Sequence, residues 1–323
     1  MNQSSQSNAS RSYTLSTLNL SLYAIICMIL PSLIQILYFR MTDTDTMSNS
    51  IAYLISFLPM YCIAFPIYLL LGRKIESTPP QKHSLPMGKW IIALCICEAI
   101  MLFGNLIGLI ISAVFTAIFP DITTTTLNNY VFGEEPYLFL FFAVVCAPIV
   151  EEMLFRKVFI DRVRKYGDGW AILCSGLLFG LFHGNFTQFF YAAGIGMFFA
   201  FLYVRTGKIL HTISLHMAIN FLGSAVPALL MDSETFNQLL SNDTANIEEL
   251  LPLLLNIIPY LLFSFCVWIV AIVGLVLLLT SIRKFELQPA QVPTKAKQVL
   301  LNPGVLIFSV LCILLFVINM IWG

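Results

Sequence analysis

Nine apolar stretches, most of them about 20 residues long, organise this 323-residue chain. A segment of that length matches the hydrocarbon thickness of a bilayer. Inside hydrocarbon each backbone amide must be satisfied within its own segment, so such stretches fold as helices. They run at roughly 18–39, 50–71, 90–119, 137–160, 170–185, 187–205, 209–231, 251–281 and 301–322. The expected fold is all-α: a polytopic transmembrane helical bundle of about nine spans. The third and eighth stretches exceed what a bilayer needs and are expected to tilt or protrude. The fifth is short and is expected to reach the sixth through a tight turn at Gly184–Asn185.

Composition removes the alternatives. Hydrophobic types make up 59% of the chain and charged types 11%, against about 25% charged in soluble domains. A soluble globular enzyme, a disordered chain and a nucleic-acid-binding domain are all excluded. The formal net charge is zero, so no basic surface is available for phosphates. The expected partner is the lipid bilayer, not nucleic acid. The eight cysteines all fall inside apolar stretches, without metal-type spacing, and read as small packing residues. Met1–Thr17 is polar and Ser-rich, with one cation, Arg11. The apolar stretch behind it is too long for a cleavable signal and reads as a signal anchor. Segments 75–88 and 286–298, with their Pro and Lys, read as loops. The whole chain, 1–323, is expected to form a single membrane domain.

Cations set the orientation. Arg73, Lys74, Lys82 and Lys89 form one group, and Lys157, Arg162, Arg164 and Lys165, just after Arg156, another. Arg205 and Lys208 form a third, and Arg283, Lys284, Lys295 and Lys297 a fourth. The 120–136 loop carries Asp121, Glu134 and Glu135 without a cation. The 232–250 loop carries Asp232, Glu234, Asp243, Glu248 and Glu249, again without one. Only Arg40 falls on the anionic side. Nine spans then put the N-terminus in the cytoplasm and the C-terminus outside.

The ionisable groups left inside the membrane are few, and burying them is costly enough to mark them for function. They are Glu98, Glu151, Glu152, Arg156, His183, His211 and His216, with Asn220 one turn beyond His216. Glu152 and Arg156 are spaced i, i+4 and share a helix face, so they can neutralise each other, while Glu151 points about 100° away. Pro148 removes a backbone hydrogen bond beside them and is expected to bend the helix. Phe179 and His183 share a face, next to a Gly176, Gly180, Gly184 stripe that admits a close helix. His216 and Asn220 share a face. His211 lies nearer the cytoplasmic end beside Lys208 and reads as a snorkelling side chain. At the helical rise, Glu151, His183 and His216 sit about 16, 20 and 12 Å below the cytoplasmic boundary. One shared level is therefore within reach.

A carboxylate, two histidines and an amide in a water-poor site suit hydrolysis. Glu151 fits a general base that activates water, with His183 holding that water or sharing the proton. His216 and Asn220 fit donors to an oxyanion. The same ligand types also suit a divalent metal, with Glu151, His183 and His216 around Zn²⁺. The H-E-x-x-H sequence of soluble metalloproteases is absent, so such a metal would draw on three separate helices. Residue types alone leave the metal and metal-free versions both open.

Glu151-Glu152-x-x-x-Arg156, Phe179-x-x-x-His183 and His216-x-x-x-Asn220 resemble, in order, the three motifs of the CPBP family. That family contains CAAX prenyl endopeptidases and bacteriocin-processing or bacteriocin-immunity membrane proteins. The resemblance covers residues 135–230, with 1–134 and 231–323 as accessory helices. It implies a glutamate-dependent intramembrane endopeptidase in a bacterial plasma membrane, acting on a peptide or membrane-associated protein. Glu151 and His183 would activate water, and His216 and Asn220 would stabilise the oxyanion. Glu152 and Arg156 would support the site, and Phe179 would pack beside His183 or line the cavity. Family members are often called metalloproteases, so a zinc ion remains open as cofactor. Two other readings stand beside this one. The first is a non-catalytic immunity or scaffold protein of the same family. The second is a transporter, for which no pair of interrupted segments in two halves is found.

Overall fold

The computed structural model describes residues 3–119, 131, 136–241, 247–281, 287, 290–292 and 294–322. Its helices are α1 (Gln3–Thr42), α2 (Asn49–Gly72), α3 (Met87–Ile118) and α4 (Pro136–Tyr166), then α5 (Asp168–Phe182), α6 (Phe186–Thr206) and α7 (Ile209–Leu230). They continue as α8 (Ser233–Ser241), α9 (Ile247–Ser281), α10 (Ala296–Leu300) and α11 (Pro303–Trp322). Among the described residues there is no strand. Eight helices among these residues are long and apolar enough to cross a membrane. The protein is an integral membrane protein.

The expected span at 170–185 is α5, which has only 15 residues. At the helical rise it is about 22 Å long, short of an approximately 30 Å hydrocarbon core. It forms a hairpin with α6, and the connection is the tight turn expected at Gly184–Asn185. Gly184 takes φ +67°, a left-handed conformation that suits glycine. Asn185 then caps α6, its Oδ1 accepting from the Gln188 amide at 2.9 Å and the Thr187 hydroxyl at 2.7 Å. A hairpin returns to the side it left, so α5 and α6 together leave the parity of the remaining helices unchanged.

The glycine stripe has the use expected of it. A methyl group built on Gly176 would lie 2.6 Å from the Met197 amide nitrogen, and one on Gly180 would lie 2.8 Å from the Ala193 Cβ. Backbone therefore packs on backbone between α5 and α6. Helix α6 is the central element: 61% of its span is buried in the protein, against 11% for α9. An apolar helix with so little buried presents its side chains outward, to lipid.

Prolines set the local shape of three helices. Met60–Ala64, Phe142–Cys146 and Phe221–Ala225 are π-helical turns. Each precedes a proline by one intervening residue: Pro66, Pro148 and Pro227. A proline lacks an N–H and its ring collides with the carbonyl four residues back. Widening the turn shifts the bond of the preceding residue by one: Phe65 donates to Met60, Ala147 to Phe142 and Val226 to Phe221. The bend expected at Pro148 is thus a π turn just before it.

At one end of the bundle the cationic segments come together. The Thr78 amide donates to the Asp161 carbonyl at 2.6 Å, and the His83 amide to the Thr206 carbonyl at 2.7 Å. Lys165 pairs with Glu76, and Arg162 Nε donates to the Gly72 carbonyl at 2.9 Å. The 73–86 segment thus straps the ends of α4 and α6, as cytoplasmic loops on one side would.

Two boundaries differ from expectation. The polar N-terminal run is helical from Gln3 instead of preceding the helix. Its hydroxyls bond to carbonyls four residues back, Thr14 to Ser10 at 2.8 Å and Thr17 to Tyr13 at 2.7 Å. Asn302 also donates to the Ser10 carbonyl at 2.9 Å. The 232–250 segment, expected as a loop, contains α8, started by Asp232 accepting from the Thr235 amide at 2.7 Å. Asp121, Glu134, Glu135, Asp243, Arg283 and Lys284 lie outside the described residues, as do the side chains of Glu248 and Glu249 and part of 286–298.

Gly176→Leu tests the α5–α6 contact. Overpacking is expected to cost about 1–3 kcal/mol, seen as a lower apparent Tm of the purified protein in detergent. Substitution of exposed Leu262 on α9 by Ala serves as the control that leaves Tm nearly unchanged.

Candidate active site

The second half of α4 carries the site. After Pro148 the helix resumes α geometry over Ala147–Glu152, then widens again to a π helix over Met153–Ile160. No proline forces this second widening. Hydroxyls from neighbouring helices occupy carbonyls there: Tyr68 donates to Leu154 at 3.0 Å and Ser175 to Phe155 at 2.9 Å. Such π segments recur at functional sites.

Glu152 and Arg156 are both fully buried and form the i, i+4 ion pair expected, with Arg156 Nη1 3.3 Å from Glu152 Oε1. Arg156 Nη2 also donates to the Gly196 carbonyl on α6 at 3.3 Å. Its guanidinium lies 4.5 Å from the centre of the Phe179 ring and 5.7 Å from that of Phe199. A cation without water is thus surrounded by a carboxylate, a carbonyl and two aromatic faces.

The same Glu152 oxygen meets His216 Nδ1 at 3.1 Å. A carboxylate paired with arginine only accepts, so Nδ1 carries the hydrogen. His216 Nε2 is thereby turned towards Glu151, whose Oε2 is 3.7 Å away. That gap is longer than a direct hydrogen bond and suits a bridging water. The two adjacent glutamates therefore differ in role as well as direction. Glu152 is sealed and holds one nitrogen of the imidazole; Glu151, with 18% of its side chain exposed, faces the other.

His183 caps the end of α5, with its Nδ1 2.9 Å from the Phe179 carbonyl. A carbonyl accepts, so Nδ1 donates and Nε2 is left as an acceptor. His183 is within electrostatic range of both Glu151 and His216. Phe179 stands edge-on between the two imidazoles, 4.9 Å from His183 and 5.9 Å from His216. It does more than pack beside His183, because it also supports Arg156.

Asn220 donates from Nδ2 to the Ala143 carbonyl at 2.8 Å. The reason lies in the proline rule above. The Ala147 N–H goes to Phe142, and Pro148 has none, so Ala143 has no donor within its own helix. Asn220 supplies one and ties α7 to α4. Its second N–H remains for another acceptor.

Two residues of the expected inventory lie apart. His211 sits at the start of α7, and its Nδ1 has no hydrogen-bond partner. Glu98 is buried in α3, and its Oε1 likewise makes no hydrogen bond. Phe199 and Gly196 were not legible in the motifs. An aromatic and a glycine on an apolar helix resemble every other core position, and only the fold brings them to Arg156.

The metal arrangement does not fit. Among the described residues no three His, Cys, Asp or Glu side chains group closely enough to hold an ion. Both nitrogens of His216 face carboxylates of α4, and His183 directs Nδ1 to backbone. Glu151, His183 and His216 are neighbours in this geometry without forming a ligand set, and no step below is routed through zinc.

Residues 133–222 match the family described as type II CAAX prenyl endopeptidase Rce1-like. Over 178 residues the chain is 24% identical to the membrane-embedded CAAX protease MroQ of Staphylococcus aureus, a stretch covering 50% of this chain and 69% of that protein. Over 126 residues it is 28% identical to the putative membrane peptidase YdiL of Bacillus subtilis, covering 34% of this chain and 52% of that protein. The chain thus spans about half the length of the second relative. No solved structure shows a significant match. Over residues 133–222 the chain thus resembles CAAX-protease-like membrane proteins of the CPBP family.

Glu152→Gln keeps the shape of the side chain but leaves Arg156 buried without a counter-charge. It is expected to destabilise the protein by about 3–5 kcal/mol, a large drop in apparent Tm. Glu151→Gln, at a partly exposed carboxylate, is expected to change Tm little in the same measurement.

Proposed function

We propose that the chain is an intramembrane endopeptidase in which Glu151 activates water to hydrolyse a peptide bond of a membrane-associated peptide or protein. Residues 135–230 form its catalytic core, with 1–134 and 231–323 as accessory helices. The observation that carries this reading is the His216 ring, which has Glu152 on Nδ1 and Glu151 opposite Nε2. The pairing supports it: Arg156 offsets Glu152 in a low-dielectric site, so Glu151 is the carboxylate left to take a proton.

Water held between Glu151 and His183 gives a proton to Glu151 as its oxygen attacks the scissile carbonyl carbon. The C=O electron pair moves onto oxygen. Nε2–H of His216 and the unused N–H of Asn220 donate to that oxyanion. When the C–N bond breaks, Glu151 returns the proton to the leaving amine. Glu152 and Arg156 act through His216, by fixing its orientation. The relatives' names, a CAAX protease and a putative membrane peptidase, support a substrate at the membrane. They also support a bacterial plasma membrane as the location and a CAAX-like peptide as the first substrate to try.

Glu151→Gln is expected to abolish cleavage of quenched membrane peptides in proteoliposomes while Tm and insertion are retained. Cleavage at the wild-type rate in that variant contradicts the assignment. His183→Ala and His216→Ala are each expected to lower kcat by about 10²-fold or more.

A further inference from the structure

Helix α2, outside the segment that matches the family, packs an aromatic side chain against the helix that carries Glu151. Tyr61 lies in the π turn Met60–Ala64, the turn that Pro66 imposes. Its ring stacks on Phe57 at 6.1 Å and 5°, and on Phe142 at 5.7 Å and 25°. Phe142 opens the π turn of α4 that leads to Glu151. The ring is thus held between two helices, and little freedom remains for the hydroxyl at its end.

That hydroxyl is sealed inside the protein and makes no hydrogen bond. Leaving a buried hydroxyl without a partner costs about 1–3 kcal/mol, so its presence calls for an explanation. Glu151 is the first of its electrostatic neighbours, near enough to interact but not bonded to it. Tyr23 and Tyr191 also lie within range of Glu151, but each already has a partner: Tyr23 interacts with Cys27, and the Tyr191 hydroxyl accepts from Gln188 Nε2 at 2.9 Å. Among these three, only the Tyr61 hydroxyl is buried with no hydrogen-bond partner of either kind. Asn220, meanwhile, uses one of its two N–H groups on Ala143.

We propose that Tyr61 is a catalytic residue whose hydroxyl donates a hydrogen bond to the scissile carbonyl oxygen as it becomes an oxyanion. The proposal rests on the endopeptidase reading above. Tyr61 keeps its proton throughout: water forms the new C–O bond, Glu151 carries the proton, and the carbonyl electron pair rests on oxygen until the C–N bond breaks. A donor that is idle in the resting site and engaged only in the tetrahedral state lowers the barrier without tightening substrate binding.

Tyr61→Phe removes one oxygen and keeps both ring stacks. Its kinetics are read in proteoliposomes with two probes, a quenched farnesylated CAAX peptide and a quenched transmembrane peptide. The expected result is a fall in kcat of about 10²-fold with KM nearly unchanged. Tm is expected to be unchanged or raised, because an unpartnered polar group has been removed. A peptide trifluoromethyl ketone, which hydrates to a tetrahedral diol, is expected to bind the variant weaker by a similar factor. The parent peptide should bind both proteins alike. Unchanged kcat, equal ketone affinity, or a loss of activity that follows a lowered Tm each overturns the role of Tyr61 and leaves the endopeptidase reading standing. If the wild type cleaves neither probe, or Glu151→Gln cleaves as the wild type does, the endopeptidase reading itself fails and the Tyr61 proposal fails with it.

Discussion

One carboxylate oxygen, Glu152 Oε1, receives both the Arg156 guanidinium at 3.3 Å and His216 Nδ1 at 3.1 Å. The site depends on this junction. Without Arg156, a buried anion has no counter-charge in a medium that solvates none. Without Glu152, Arg156 is the unpaired ion and His216 loses the contact that sets which nitrogen faces Glu151. A structural ion pair and the orientation of an imidazole are therefore one interaction, made by adjacent helices α4 and α7.

The backbone around the junction follows from prolines. Pro148 and Pro227 each widen the preceding turn, and the two π segments flank the reactive residues on α4 and α7. Widening at Phe142–Cys146 strips the Ala143 carbonyl of its intrahelical donor. Asn220, one residue before the widened turn of α7, provides the replacement. The hydrogen bond that repairs one helix thus fixes the other against it. Pro66 does the same service on α2, where the π turn holds Tyr61 between Phe57 and Phe142.

Much of this was legible before the fold was known, because membranes impose strong rules. Span positions followed from apolar length, and most ends agree within a few residues. The Glu152–Arg156 pair followed from i, i+4 spacing, the close α5–α6 packing from Gly176 and Gly180, and the turn from Gly184. What could not be read were contacts between helices. Helical spacing says that Glu152 and His216 are both buried, but not that Glu152 grips Nδ1. Phe199 and Tyr61 are aromatic residues in a chain with 27 Phe and 12 Tyr, so composition hides them. The helical start at Gln3 is not legible in a polar run, where no apolar periodicity marks it; Thr14 and Thr17 there donate to carbonyls of the same helix.

The account stands or falls on how His216 is held. Nitrogen-15 spectra of the labelled protein, with its four histidines assigned by substitution, report which ring nitrogens carry hydrogen. The account predicts a hydrogen on Nδ1 of His216, shifted by its bond to the Glu152 carboxylate. A bare Nδ1, with the hydrogen on Nε2 alone, would contradict it.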